Sequence, residues 1–177
     1  MRHPGRVILL LLSVLAVAAI ALAQEDVNQP RMLGNTEARR FVPDRVPLET
    51  EIVAVDYSRI SAVEFADKTR LAIAPLLISS GSFEFKRKYQ FVLVTEARLR
   101  LGKSSLPSGL VAIGLEPVET DAAVMNLLTR DFSGSEIDRL FLHLGENGPS
   151  ARVAIVPKGE KTFELWIGRF MTEGTKR

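Results

Sequence analysis

Residues 83–101 read FEFKRKYQFVLVTEARLRL, and their alternation decides the fold class. The odd positions are Phe83, Phe85, Arg87, Tyr89, Phe91, Leu93, Thr95, Ala97, Leu99 and Leu101, while the even ones are largely Glu84, Lys86, Lys88, Gln90, Glu96, Arg98 and Arg100. Period two sustained this far predicts strand with one face buried, because successive side chains of a strand point to opposite sides. At ~3.3 Å per residue the run would extend about 60 Å, more than one ordinary strand, so it must bend or break. Arg87, the one charge on the apolar face, marks the expected break.

Working outward, LGKSSLPSG (Leu101 to Gly109) reads as a hairpin, and LVAIGLEP as the strand that returns from it. Leu106-Pro107-Ser108-Gly109 suits a type I turn, with proline second and glycine fourth. Upstream, EIVAVDY is rich in β-branched residues, and TRLAIAPLLIS is a second apolar stretch in which Pro75 points to an edge or a bend. Downstream, TDAAVMNLLTRD and SGSEIDRLFLHLG fit either class. Thr120 or Asp121 could cap a helix bearing Val124, Leu127 and Leu128, and Ser133 and Glu136 have capping-box spacing, yet Leu140, Leu142 and Leu144 alternate. ARVAIVP and KTFELWIG flank Lys158-Gly159-Glu160 and predict a terminal β-hairpin. The fold class expected is mainly β, an antiparallel β-sandwich or open barrel of about eight strands, with room for one or two short helices between Thr120 and Leu144.

The N-terminus has a different character. Arg2 and Arg6 precede the uncharged run VILLLLSVLAVAAIALA, which ends in Ala21-Leu22-Ala23 before Gln24. Basic, then apolar, then small-x-small is the order of a cleavable secretory signal, so residues 1–23 are expected to be removed, leaving no stable membrane anchor and a periplasmic or secreted protein. Residues 24–50 are polar, carry Pro30, Pro43 and Pro47, and show no sustained apolar period, which predicts a flexible or extended arm on which Phe41 and Val42 could dock. The β-domain is then expected over residues 51–170 and a short C-terminal tail over 171–177.

Charge and composition exclude several functions. The chain has 23 Lys+Arg and 21 Asp+Glu, and Arg2 and Arg6 leave with the signal, so the mature balance of 21 against 21 gives no bulk attraction to nucleic acid or anionic membrane. The absence of cysteine removes thiol enzymes, thiolate metal sites and lipid anchorage through cysteine. Of the two histidines His3 lies in the signal, so His143 is the sole imidazole of the mature chain and a two-histidine metal site is excluded.

The remaining candidates each have a bland reading that outweighs the sharp one. Gly102-Lys103-Ser104 resembles the end of a phosphate-binding loop, but Ala97 stands where the first glycine belongs and Lys103 follows a strand, so no nucleotide is expected. Lys86-Arg87-Lys88 lies among Phe83, Phe85, Tyr89 and Phe91, but on a strand the aromatics face away from Lys86 and Lys88, which disfavours single-stranded nucleic acid. His143 could be oriented by Glu136, Asp138 or Glu146, yet nothing supplies a nucleophile, and Ser133-Gly134-Ser135 lacks the strand-turn-helix setting of an elbow. Glu116 with Glu119 and Asp67 with Glu64 are within background for a chain with 21 acids, and a calcium loop needs a denser Asp/Asn run than DAAVMN provides. No catalytic, cofactor-binding or metal-ligating residue is assigned, and no cofactor is expected.

Two segments, VDYSRIS (Val55 to Ser61) and LGKSSLPSGLVAIGLEP (Leu101 to Pro117), resemble the bacterial family known as domain of unknown function 2911. Its pattern includes a Tyr-Ser-Arg-Pro segment and a Gly-x-x-Leu-Pro-x-Gly hairpin; here Ile60 replaces the proline and Val111 a tyrosine. The resemblance implies an exported β-domain and supplies no catalytic residue. The function expected is a non-catalytic binding or accessory domain of the bacterial cell envelope, its partner an envelope protein or a small apolar ligand. A carboxylate-dependent hydrolase and a lipocalin-like carrier, whose Phe83 to Leu101 face would line a cavity, are the alternatives.

Overall fold

The computed structural model describes residues 29–177, so the expected signal lies outside the described residues. In chain order the elements are β1 (Arg31–Met32), α1 (Asn35–Ala38), β2 (Arg45–Leu48), β3 (Glu51–Val55), a 3-10 turn (Tyr57–Arg59), β4 (Ser61–Glu64), β5 (Arg70–Leu77), α2 (Phe83–Lys88), β6 (Phe91–Thr95), β7 (Leu99–Leu101), β8 (Ser104–Leu106), β9 (Gly109–Val118), β10 (Asp121–Arg130), β11 (Glu136–Leu144), β12 (Val153–Pro157), β13 (Thr162–Ile167) and β14 (Phe170–Lys176). Strand accounts for 54% and helix for 9%, so the chain is mainly β, as its alternation predicts.

All pairings are antiparallel, and the main path runs β1-β4-β5-β6-β9-β10-β11-β14-β13-β12. The β2–β3 hairpin attaches through β3 to β5, and the β7–β8 hairpin through β7 to β14. The sheet curls until β12 lies beside β4, but there the seam is a side-chain contact: the Ile155 N–H donates to Ser61 Oγ at 2.9 Å, and no ladder closes the barrel. Pro75 sits where β5 changes neighbours. Its pairing with β4 ends at Ile73 and its pairing with β3 begins at Leu76, so the missing N–H falls at the handover.

Two cores result. Inside the curl, Leu71, Ile73, Phe91, Leu93, Leu99, Leu101, Leu106, Ile113, Leu127, Leu142 and Leu165 pack together, each almost wholly buried. On the outer face of β4, β5, β6 and β9 the residues are small, Ala62, Ala72, Ala74 and Ala112, with Val92 and Val94. Small side chains let a second layer settle closely, and Leu33, Ala38, Val42, Val46, Leu48, Val53, Tyr57, Phe85 and Tyr89 form it.

Several expectations are corrected here. The arm expected to be flexible or extended over residues 24–50 is, from residue 29 onward, packed as this outer layer, with Val42 docked in it: β1 pairs with β4, β2 with β3, and the Tyr57 hydroxyl donates to the Val42 carbonyl at 2.6 Å. Of the expected tail 171–177, all but Arg177 belongs to strand β14, and fourteen strands replace about eight. Between Thr120 and Leu144, where the sequence fits either class, both segments pair as strands β10 and β11 and no helix forms. Helix forms instead at Phe83–Lys88, inside the run read as strand. The Ser82 hydroxyl accepts from the Phe85 N–H, Glu84 lies in the first turn and Lys86, Arg87 and Lys88 in the last, so cap and charges match the helix dipole. The break therefore comes after Lys88, close to the expected Arg87.

Candidate functional site

The site begins with an uneven pairing. β11 pairs with β10 along nearly its whole length, but with β14 only at His143↔Met171 and Leu144↔Phe170. Farther along, β14 pairs with β7 from Gly174↔Leu101 to Lys176↔Leu99. Gly174 belongs to that departure: its Cα lies against the Phe163 ring, where a Cβ would come within 2.3 Å of the ring carbons. Between β11 and β14 a groove of about 590 Å³ opens, closed at its far side by the β7–β8 turn.

Three segments line it. The turn supplies Gly102, Lys103 and Ser104; β11 supplies Arg139, Leu140, Phe141 and His143; β14 supplies Met171, Thr172 and Glu173. On β11, Leu140 and Leu142 point inward to the core, so Arg139, Phe141 and His143 share the outer face, and Phe141 is 53% exposed. His143 belongs to a register row that crosses five strands, Val124, His143, Met171, Trp166 and Ala154. Arg139 donates from Nε and Nη2 to the two Glu136 oxygens at 3.2 Å, which holds the Glu136 carboxyl below its ordinary range. Lys103, His143 and Glu173 have no ion-pair partner within 4 Å among the described residues.

Two candidates weighed separately in the sequence thus come together. Gly102-Lys103 is the two-residue turn between Leu101 and Ser104, with Gly102 at φ +56°, and Ser104 opens strand β8, so the segment is a hairpin and not a loop entering a helix. Its tip faces the groove that His143 also lines. Leu106 is fully buried and Gly109 has φ +122°, which places both as structural residues of the connection to β9.

The other candidates stay apart. Lys86-Arg87-Lys88 forms the last turn of α2, with Lys88 3.7 Å from both Glu49 and Glu84, and Arg87 3.9 Å from Glu116. Phe83 is 84% exposed whereas Phe85 is buried in the outer core, so the expected aromatic row is not formed by these two. Asp67 pairs with Lys176, whose hydrogen bond, with that of Thr69, brings its pKa down to about 2. Glu64 pairs with Arg31 and Lys68. Asp131 accepts from Ser133 Oγ, from the Ser133 N–H and from the Ser135 N–H, so Ser133-Gly134-Ser135 is a capped turn between β10 and β11. Asp138 accepts from the Arg139 N–H at 2.7 Å, and none of Glu136, Asp138 or Glu146 is hydrogen-bonded to His143. No three His, Cys, Asp or Glu side chains are placed to hold a metal ion among the described residues. Nor is any described helix long and apolar enough to cross a membrane.

Sequence reasoning missed Arg139, Phe141 and Met171. The signal was the alternation of Arg139-Leu140-Phe141-Leu142-His143, which, read as strand, puts a cation, an aromatic and an imidazole on one face. No family model, no curated protein and no solved structure matches the chain.

Proposed function

We propose that this chain is a non-catalytic binding domain of the bacterial cell envelope, exported to the periplasm or secreted, and that the groove between β11 and β14 is where it takes its ligand. One observation carries the reading: β14 leaves β11 after two paired residues, and the opening joins an exposed aromatic, Phe141, to Lys103, Arg139 and His143. A groove of about 590 Å³ lies within the range of ~300–1,000 Å³ usual for small-molecule sites. Its chemistry suits a molecule with an apolar body and one acidic group, the body against Phe141 and Met171 and the acid near Lys103. The N-terminal basic-apolar-small order supports export.

The alternatives have less to rest on. The inner face that a lipocalin-like carrier would line with ligand is filled by Phe91, Leu93, Leu99 and Leu101, each 0–1% exposed within the packed core. Of the carboxylates considered for hydrolysis, Asp67, Glu64 and Glu116 are each engaged by a cation.

The test uses anilinonaphthalene sulfonate, a dye with an apolar body and one anionic group, on native protein. Saturable dye binding is expected, weakened about tenfold or more in Phe141→Ser and less in Lys103→Gln. Both variants should keep the parent's urea midpoint, which separates groove binding from adsorption to loosened protein. Dye binding that is unsaturable, or unchanged in Phe141→Ser, would refute the assignment.

A further inference from the structure

We propose that the depression walled by Arg152 and Arg169 binds a tetrahedral oxyanion of the phosphate or sulfate type, carried by a small soluble molecule. It lies beyond the paired end of β11 and β14 and does not depend on the groove described above.

Three segments meet there. Arg152 ends the loop from β11 to β12, Arg169 follows Gly168 in the two-residue turn between β13 and β14, and Gly145 with residues 148–151 forms the remaining wall. Two backbone hydrogen bonds stitch these segments together: the Gly168 N–H donates to the Arg152 carbonyl at 2.8 Å, and the Gly145 N–H to the Arg169 carbonyl at 2.9 Å. The bases of both arginine side chains are therefore fixed relative to each other. Both side chains line one depression, so an anion held in it would be attracted by both.

The lining contains no Asp or Glu. Neither guanidinium has an acid within 4 Å or donates a side-chain hydrogen bond among the described residues, although each makes a long contact to an aromatic ring, Arg152 to Phe91 at 5.9 Å and Arg169 to Phe170 at 5.7 Å. Glu146 is exposed in the same loop but is not part of the lining. Each guanidinium brings five N–H donors in a planar fork that matches oxyanion geometry.

The loop has a reason to be bare. Gly145 and Gly148 both lie on the Trp166 indole, and a Cβ at either would come within 2.3 Å of its carbons. The tryptophan excludes side chains at these positions and leaves backbone and the Ser150 hydroxyl beside the arginines. The amides of Gly148, Ser150 and Ala151 donate no hydrogen bond within the described residues, so they remain free to serve a ligand. At about 280 Å³ the depression fits a group, not a whole drug-sized molecule.

The experiment titrates uniformly nitrogen-15-labelled protein with sodium phosphate, sodium sulfate or sodium acetate at constant ionic strength, following amide and arginine Nε–Hε resonances. Saturable shifts confined to residues 145–152 and 166–169 are expected with phosphate and sulfate, and weaker ones with acetate. Arg152→Gln and Arg169→Gln should each weaken binding about tenfold, whereas Lys161→Gln, a cation outside the lining, should not. Both arginines are exposed, so the variants' spectra should otherwise overlay the parent's. A linear response to phosphate, or saturation that survives loss of both arginines, would overturn the proposal. So would binding to phosphatidylglycerol vesicles without any response to free phosphate. The dye assay reads Phe141 and Lys103, so either site can fail without the other.

Discussion

Replacing Gly114 with alanine tests how the outer layer is held on the sheet. Gly114 lies in β9 where the end of α2 rests on it, and a Cβ there would sit 2.4 Å from the Lys88 carbonyl oxygen and 2.9 Å from the Arg87 oxygen. Both obstacles are backbone and cannot rotate away. Carbon and oxygen normally approach no closer than about 3.3 Å, so the last turn of α2 must lift by roughly 1 Å. The lift would fall on Tyr89, which is fully buried with its hydroxyl donating to Glu49 at 2.8 Å, and on the Gln90 N–H, which donates to the Ile113 carbonyl. Overpacking of this kind costs about 1–3 kcal/mol, which for a domain of this size lowers Tm by roughly 2–12 °C. Urea unfolding followed by the single tryptophan gives the cost, and hydrogen exchange gives its location. Amides of residues 85–90 should exchange faster, while those of β12 and β13 keep their protection until global unfolding. Gly109→Ala is the comparison: no atom lies within 4 Å of its Cβ, yet φ is +122°, so it pays ~1–3 kcal/mol of strain without disturbing α2. A Gly114→Ala protein within about 0.5 kcal/mol of the parent would refute the argument that α2 is seated on a glycine.

Three further outcomes follow from other parts of the fold. Leu106→Ala should cost ~2–5 kcal/mol because its side chain is fully buried in the inner core, while Lys103→Ala at the adjacent tip should stay within about 0.5 kcal/mol; equal denaturant midpoints for the two would contradict the packing. Lys68 has φ +70° in the turn between β4 and β5, so Lys68→Gly should stabilise the protein by about 0.5–1 kcal/mol, measured as a raised midpoint at an unchanged urea slope. The folded Asp67 carboxyl, held by Lys176 and then by Thr69, has a pKa of about 2 against 3.8 ordinarily. Its contribution is therefore present above pH 3.8 and lost as pH falls through about 2, and Lys176→Met should flatten the stability curve across that window.

The alternation of residues 91–101 led to the right class because both of its strands, β6 and β7, bury one row of the run in the inner core. The same rule misread 83–88, where FEFKRK alternates by chance and the cap at Ser82 with its ordered charges was the better guide. The outer layer was illegible for a different reason. Leu33, Ala38, Val42, Val46 and Leu48 sit on β1's exit, a four-residue helix, a loop and a short strand, so no single period runs through them. Pairing made β10 and β11 strands, and no local pattern distinguishes that from a helix. The groove was out of reach because Lys103, His143 and Met171 meet only through the register of β14 against β11 and β7.

The two-layered construction around β4, β5, β6 and β9 also fixes an order of events as the chain is made. Residues 29–60 of the outer layer precede the strands β4, β5, β6 and β9 that they cover, and β4 meets its seam partner β12 only after a gap of 94 residues. Residues 29–60 therefore stay uncovered until the strands that follow them have formed and paired, and their protection depends on contacts distant in sequence.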